Sequence, residues 1–252
     1  MPVRLPRVRG AVRRRWCVGT ISLVGMVLAG CQSISMSPDS VAQVRVVAAS
    51  PDAGSMDFYA GGTALAYGVD FGSASTYVPL QPGSVRLSAN TASSTQMLIA
   101  SNAGLVAGRQ YTAVVANVAA SLQETIYADQ TTPAPAGEVA VRVIDAATRA
   151  GNLDLYMVPA GGRLTATAAV RAGVVFGAST GYVLLPAGTY SLVIVPAGTA
   201  PTNQALPLMT APQTTYAAGA VQTVVLVDHP NPQSPGVDQI VTSDYDPQET
   251  RQ

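Results

Sequence analysis

Lysine is absent from this 252-residue chain, and all fourteen basic residues are Arg. His and Trp occur once each, Cys twice and Phe three times. Charged residues make up 11% of the chain, against roughly 25% in average globular proteins. Each scarcity excludes something. The one His, His229, sits in Asp228-His229-Pro230-Asn231-Pro232, where a loop role is expected. A Ser-His-Asp triad would have no other His to use. The two Cys are Cys17 and Cys31, so beyond residue 31 there is no thiol for a disulfide, a zinc site or a nucleophile. No dense Asp/Asn cluster offers the six to eight or so oxygens that calcium takes. The sequence therefore predicts no metal and no cofactor. It also has no phosphate loop and no basic patch for nucleic acid. Trp16 lies in the N-terminal segment, which disfavours sugar binding through an exposed indole, though ten Tyr remain.

What is present is apolar and small. Hydrophobic residues reach 48%, with 23 Gly and 18 Pro. Such mass excludes a disordered chain and suits an extracytoplasmic all-β protein. The formal net charge of zero hides a split. Six Arg (4, 7, 9, 13, 14 and 15) precede the first acidic residue, Asp39. Residues 16–29 form a short apolar run, below the roughly 20 residues of a spanning helix. A basic start, a short apolar run and small residues at its end read as a secretory signal. Its last residues, Leu28-Ala29-Gly30-Cys31, resemble the lipobox of bacterial lipoproteins. That resemblance implies cleavage between Gly30 and Cys31 and lipidation of the Cys31 sulfur. Gln32, in place of the Asp that retains such proteins in the inner membrane, implies the outer membrane. Arg14-Arg15 is followed by Trp16-Cys17-Val18, a poor match to a twin-arginine signal. Residues 1–30 are thus expected as signal peptide and 31–42 as a lipidated tether. Removing the signal leaves eight Arg against fourteen acidic residues, a net of −6.

The remainder is duplicated. Val44–Tyr59 aligns without gaps with Val141–Tyr156, and eight of the sixteen positions are identical. Val69–Leu80 then meets Val174–Leu185, which places about eight extra residues near 159–171 in the second copy. Gly108 and Thr112 pair with Gly219 and Thr223. A tandem duplication of this period suits two domains rather than a solenoid. The expected limits are 43–129 and 139–245, with a Pro/Ala/Thr linker at 130–138 and a polar tail at 246–252.

Short β-branched runs bounded by Gly, Pro and Asn dominate both copies. Expected strands in the first are 44–48, 56–59, 76–80, 84–89, 96–100, 111–117 and 122–127. In the second they are 139–145, 153–158, 181–185, 189–195, 221–227 and 240–242. That density of strands indicates two tandem immunoglobulin-like antiparallel β-sandwich domains, an all-β fold. Leu105-x-x-Gly108-x-x-Tyr111 resembles the tyrosine corner of such sandwiches, with Gln222 at the matching place in the second copy. Alternation puts Met56, Phe58, Leu153 and Leu155 in the cores. It puts Asp57 with Tyr59, and Asp154 with Tyr156, on the opposite face as a repeated surface pair. A strand- or turn-stabilising Asp with a packing Tyr is favoured there over a calcium or ligand site. Asp52 is expected in a turn, Arg45 and Arg142 as lone charges at strand starts, and 244–249 as a solvated acidic tail.

Val44–Ala53, Met56–Tyr59, Phe71–Tyr77 and Gly108-x-x-Tyr111-Thr-Ala-Val-Val115 together resemble family 4397 of domains of unknown function. The resemblance implies a domain of bacterial surface and secreted proteins, often in tandem. Members often carry His before Ala-Ser-Pro-Asp; Ala48 and Asp145 stand there here. The expected function is a non-enzymatic, lipid-anchored envelope protein with a structural, adhesive or interaction role toward an envelope protein or polymer. The alternative is a binding module for a small ligand or glycan, favoured if exposed Tyr gather in one cleft and disfavoured if Tyr are scattered and face the core. A remote third is an enzyme whose carboxylates converge between the domains.

Overall fold

The structure is a computed structural model that describes residues 40–199, 202, 206–230 and 236–245. The signal peptide, the lipobox (Leu28, Ala29, Gly30, Cys31), the tether up to residue 39 and the tail 246–252 lie outside the described residues. Among those described, no helix is long and apolar enough to cross a membrane.

The first copy contains β1 (Ala42–Ala49), β2 (Met56–Ala60), β3 (Thr63–Val69), β4 (Ser73–Ala74), β5 (Val78–Leu80), β6 (Gly83–Thr91), β7 (Met97–Leu105), β8 (Gln110–Ala116) and β9 (Gln123–Asp129). The second contains β10 (Glu138–Asp145), β11 (Leu153–Pro159), β12 (Arg171–Val174), β13 (Ser179–Pro186), β14 (Gly188–Pro196), β15 (Met209–Thr210), β16 (Thr214–Tyr216), β17 (Val221–Asp228) and β18 (Val237–Tyr245). The fold is all-β. Each copy is a sandwich of an outer sheet (β3-β2-β6-β7; β12-β11-β14-β15, with β16 also on β14) and an inner sheet. The inner sheets run β4-β1-β8-β9, with β5 also on β1, and β13-β10-β17-β18. Pairing is antiparallel except for β1 with β8 and β10 with β17.

Those two parallel pairs explain the apolar runs at the copies' starts. Val44, Val46 and Ala48 of β1 enter a core with Met56, Phe58 and Leu87 from the outer sheet. Val141 and Val143 of β10 do the same with Leu153, Leu155, Leu192 and Ile194. The intervening residues face the other way and are buried too. Val47, Ala49, Val114 and Ala116 pack with Ile144, Ala146, Val225, Val227 and Ile240 of the second copy. The inner sheets therefore lie face to face, giving four layers, and β1 and β10 are buried on both sides, as parallel strands usually are. Residues 130–138 are not a free linker. Ala134 is buried with Ala140 and Val221, and its N–H donates to the Gly219 carbonyl at 3.0 Å.

Arg45 and Arg142 are the largest departure from expectation. They are not lone strand-end charges: both are buried in central strands between the copies. The Arg45 guanidinium pairs with Asp244 of the second copy, and Arg142 pairs with Asp129 of the first. Each crossed pair is completed by matching residues. Arg45 Nε donates to Thr112 Oγ1 at 2.8 Å, and Arg142 Nε to Thr223 Oγ1 at 3.0 Å. Asp129 accepts from the Tyr77 and Thr112 hydroxyls, both at 2.7 Å. Asp244 accepts from Tyr182 and Thr223, both at 2.6 Å. Tyr77 also lies under Arg45 at 4.7 Å, and Tyr182 under Arg142 at 4.8 Å, cation–π contacts inside a dry site. Burial, then the neighbouring Asp129, holds the Tyr77 hydroxyl far above the usual phenol range. Burial and Asp244 act alike on Tyr182. Both phenols thus stay protonated donors. Asp244 is buried on β18, so the acidic segment is not a solvated tail at that residue.

Four buried charges sum to zero, and every one is paired. Removing one member strands its partner in a low dielectric, which costs about 3–5 kcal/mol. Arg45→Met is expected to lower the urea-unfolding free energy by that amount. The double variant Arg45→Met/Asp244→Leu is expected to recover part of the loss, because it leaves fewer orphaned charges than either single change.

Candidate functional site

Asp57 and Asp154 occupy equivalent places on β2 and β11, and neither is on the surface: their exposures are 5% and 7%. The expected surface pair is corrected on this point, and Tyr156 is buried as well. The reason is local. Asp57 Oδ1 accepts the Gly68 N–H at 2.7 Å, and Oδ2 accepts the Ser93 N–H at 2.8 Å. Asp154 accepts Gly173 N–H at 2.7 Å and Gly198 N–H at 3.0 Å. Each carboxylate clamps two backbone segments in the left-handed region, with φ of 58° at Gly68, 57° at Ser93, 64° at Gly173 and 77° at Gly198. This is the turn-stabilising role the sequence favoured. Among the described residues no His/Cys/Asp/Glu group is placed to hold a metal.

The two copies differ in what lies above the clamp. In the second, Tyr156 packs with Val158, Val193 and Val195 beneath Leu164, which belongs to the extra residues of that copy. In the first, Tyr59 is half-buried and Tyr67 is 69% exposed. Their rings meet edge to face at 6.0 Å. With Asp57, Gly68, Ser93, Ser94 and Thr95 they line an open groove of about 620 Å³. Burial and the nearby Asp57 raise the Tyr59 hydroxyl above its ordinary value, so it remains a neutral donor.

The other sequence-selected residues are structural. Tyr111 forms the corner, its hydroxyl accepting the Val106 N–H at 3.1 Å, and Gln222 holds that register in the second copy. Asp52 Oδ1 accepts the Ala119 N–H at 2.7 Å and so fixes a turn. The backbone of His229 bonds to Gly236 and Arg149. A cleft of about 510 Å³ lies between Phe71-Gly72 and residues 209–212 and 238–240, and its one acidic lining residue is Asp238. Carboxylates of the two copies converge in the sealed Arg–Asp quartet instead.

Asp145, which replaces Ala48, was not singled out as a site and is unusual. It is fully buried. Its Oδ1 accepts the Ala147 N–H at 2.9 Å, while its Oδ2 has no hydrogen bond. Burial foremost, with Asp228 adding to it against the Ala147 N–H, pushes its carboxyl up to about 7 from 3.8. The fold thus favours the protonated form. Its stabilising contribution is complete below about pH 4 and is lost as pH rises through about 7. Asp145→Asn removes that titration. Wild type is expected to lose melting temperature between about pH 5 and pH 8, and the variant to lose distinctly less. Parallel slopes in thermal melts would contradict the assignment.

No curated protein matches the chain. Among solved structures, one described as "Alpha-glucan binding by a streptococcal virulence factor" is similar at 10% identity, over 73% of this chain and 92% of that one, with a TM-score of 0.24. A family model described as "Domain of unknown function (DUF4397)" matches residues 42–156, which take in the first sandwich and the second copy as far as Tyr156 in β11. Over that span, just under half of its length, the chain is similar to this family.

Proposed function

We propose that this is a non-enzymatic, lipid-anchored protein of the bacterial outer membrane with a binding or structural role toward another envelope component. The observation that carries the role is the crossed Arg45–Asp244 and Arg142–Asp129 pairing, which ties the two sandwiches into one unit able to present a surface to a partner. The repeated carboxylates are consumed as acceptors inside the protein: Asp57 and Asp154 by backbone N–H groups, Asp129 and Asp244 by Arg, Thr and Tyr. That leaves them unsuited to acid–base chemistry. Support for the anchor is Leu28-Ala29-Gly30-Cys31 with Gln32 after it. Acyl chains contribute about 0.8 kcal/mol per buried CH₂, and a net charge of −6 beyond the signal gives no polybasic attraction to anionic headgroups.

A second reading, a binding module for a small ligand or glycan, is favoured by the Tyr59–Tyr67 groove. The groove holds one exposed and one half-buried Tyr, while the other eight lie elsewhere and Tyr111, Tyr156 and Tyr216 are buried, which counts against this reading for the chain as a whole. The anchor is tested by feeding labelled palmitate to expressing cells. Wild type is expected to take up label and sediment with membranes, and Cys31→Ala to do neither. A Cys31→Ala protein that stays fully membrane-bound would sink the lipidation proposal.

A further inference from the structure

We propose that the groove lined by Tyr59, Tyr67 and the Ser93-Ser94-Thr95 turn binds a neutral saccharide. The inference deepens the binding-module reading and is independent of the anchor, because its test uses purified protein.

The duplication supplies the first argument. Asp57 lies opposite Asn90, and Tyr59 opposite Ser88, on the outer face of the first sandwich. The matching positions beside Asp154 and Tyr156 are Val195 and Val193. One copy thus has an apolar outer face, where Val158, Leu164 and Val193 line a groove of about 440 Å³, whereas the other has a polar one. The buried Asn90 Oδ1 makes no hydrogen bond. An open, polar face beside two Tyr rings suits a ligand that is itself polar.

Backbone strain supplies the second argument. Ser93 and Gly198 do the same job, each donating its N–H to the clamping carboxylate from the left-handed region. Gly takes up that conformation freely, and a residue with a Cβ does so at a cost. The first copy nonetheless carries Ser, and Ser93 lines the groove. Strained non-glycine residues concentrate at ligand sites.

The lining chemistry selects the ligand class. No Arg, Lys or His is in the groove, and its one carboxylate, Asp57, already accepts two backbone N–H groups. An anionic ligand finds no cation, and Asp57, 5% exposed with both oxygens on backbone N–H groups, offers a cationic ligand little direct contact. What remains is an exposed ring face, phenolic and aliphatic hydroxyls, and backbone. A sugar ring matches these, with an apolar C–H face to lie on Tyr67 and hydroxyls to bond at the rim.

The test is an array of immobilised neutral oligosaccharides probed with the full chain in detergent, followed by amide NMR with the best-bound sugar. The expected result is binding, with shifts at Gly68 and Ser93, that becomes about tenfold weaker in Tyr67→Ala. Tyr67→Phe is expected to keep most of the affinity, since the ring face remains. Tyr67 is exposed, so an unchanged melting temperature shows that Tyr67→Ala is folded. Ser93→Gly is expected to melt higher than wild type and to bind more weakly. An array with no bound sugar, binding undiminished in Tyr67→Ala, or shifts at Gly68 and Ser93 produced by an extended peptide and by no sugar would each overturn the proposal.

Discussion

Two buried guanidinium–carboxylate pairs that exchange partners between the sandwiches are the constraint from which the rest of the architecture follows. Arg45 pairs most closely with Asp244 and Arg142 with Asp129, and each Arg also stands 3.9 Å from the carboxylate of its own copy, Asp129 and Asp244 respectively. Separating the sandwiches would break the two closest pairs and leave each Arg only the Asp of its own copy, at 3.9 Å. The rim of Val47, Ala49, Ile144 and Ala146 excludes water around the quartet, and low dielectric strengthens a satisfied network as much as it penalises a broken one. The double-sided burial of β1 and β10 and the docking of Ala134 belong to the same interface.

Duplication followed by divergence accounts for where the copies agree and where they differ. The inner faces keep Arg, Thr and Tyr in matching places, since each half of the quartet needs its counterpart. The outer faces do not meet, and they have drifted. Val193 and Val195 in one copy stand where Ser88 and Asn90 stand in the other, and Gly198 where Ser93 stands. The two outer grooves accordingly differ in chemistry, apolar beside Val158, Leu164 and Val193 and polar beside Tyr59, Tyr67 and Ser93.

Much of the fold was legible in the sequence. The duplication, the two cores led by Phe58 and Leu155, and the Tyr111 corner all follow from spacing and alternation. Strands β3 and β12 were missed because Thr63–Val69 and Arg171–Val174 are rich in Ala and Gly rather than in β-branched residues. The inner interface was missed for a different reason. A strand buried on both faces loses the polar alternation that marks one side, so Arg45 within Val-Arg-Val-Val read as a lone charge. The repeat held the missing signal: Arg45 with Arg142, Tyr77 with Tyr182 and Thr112 with Thr223 are all matched positions. Asp129 and Asp244 escaped because one borders a Pro-containing connection and the other an acidic terminus. The groove was only half visible, since Tyr59 lies in a repeated block whereas Tyr67 and Ser93 do not.

If the crossed pairs make one cooperative unit of the two sandwiches, scanning calorimetry of the full chain will show a single transition whose calorimetric and van't Hoff enthalpies agree, a ratio of about 1. Two resolved transitions, or a ratio near about 2 from two halves unfolding separately, would contradict it.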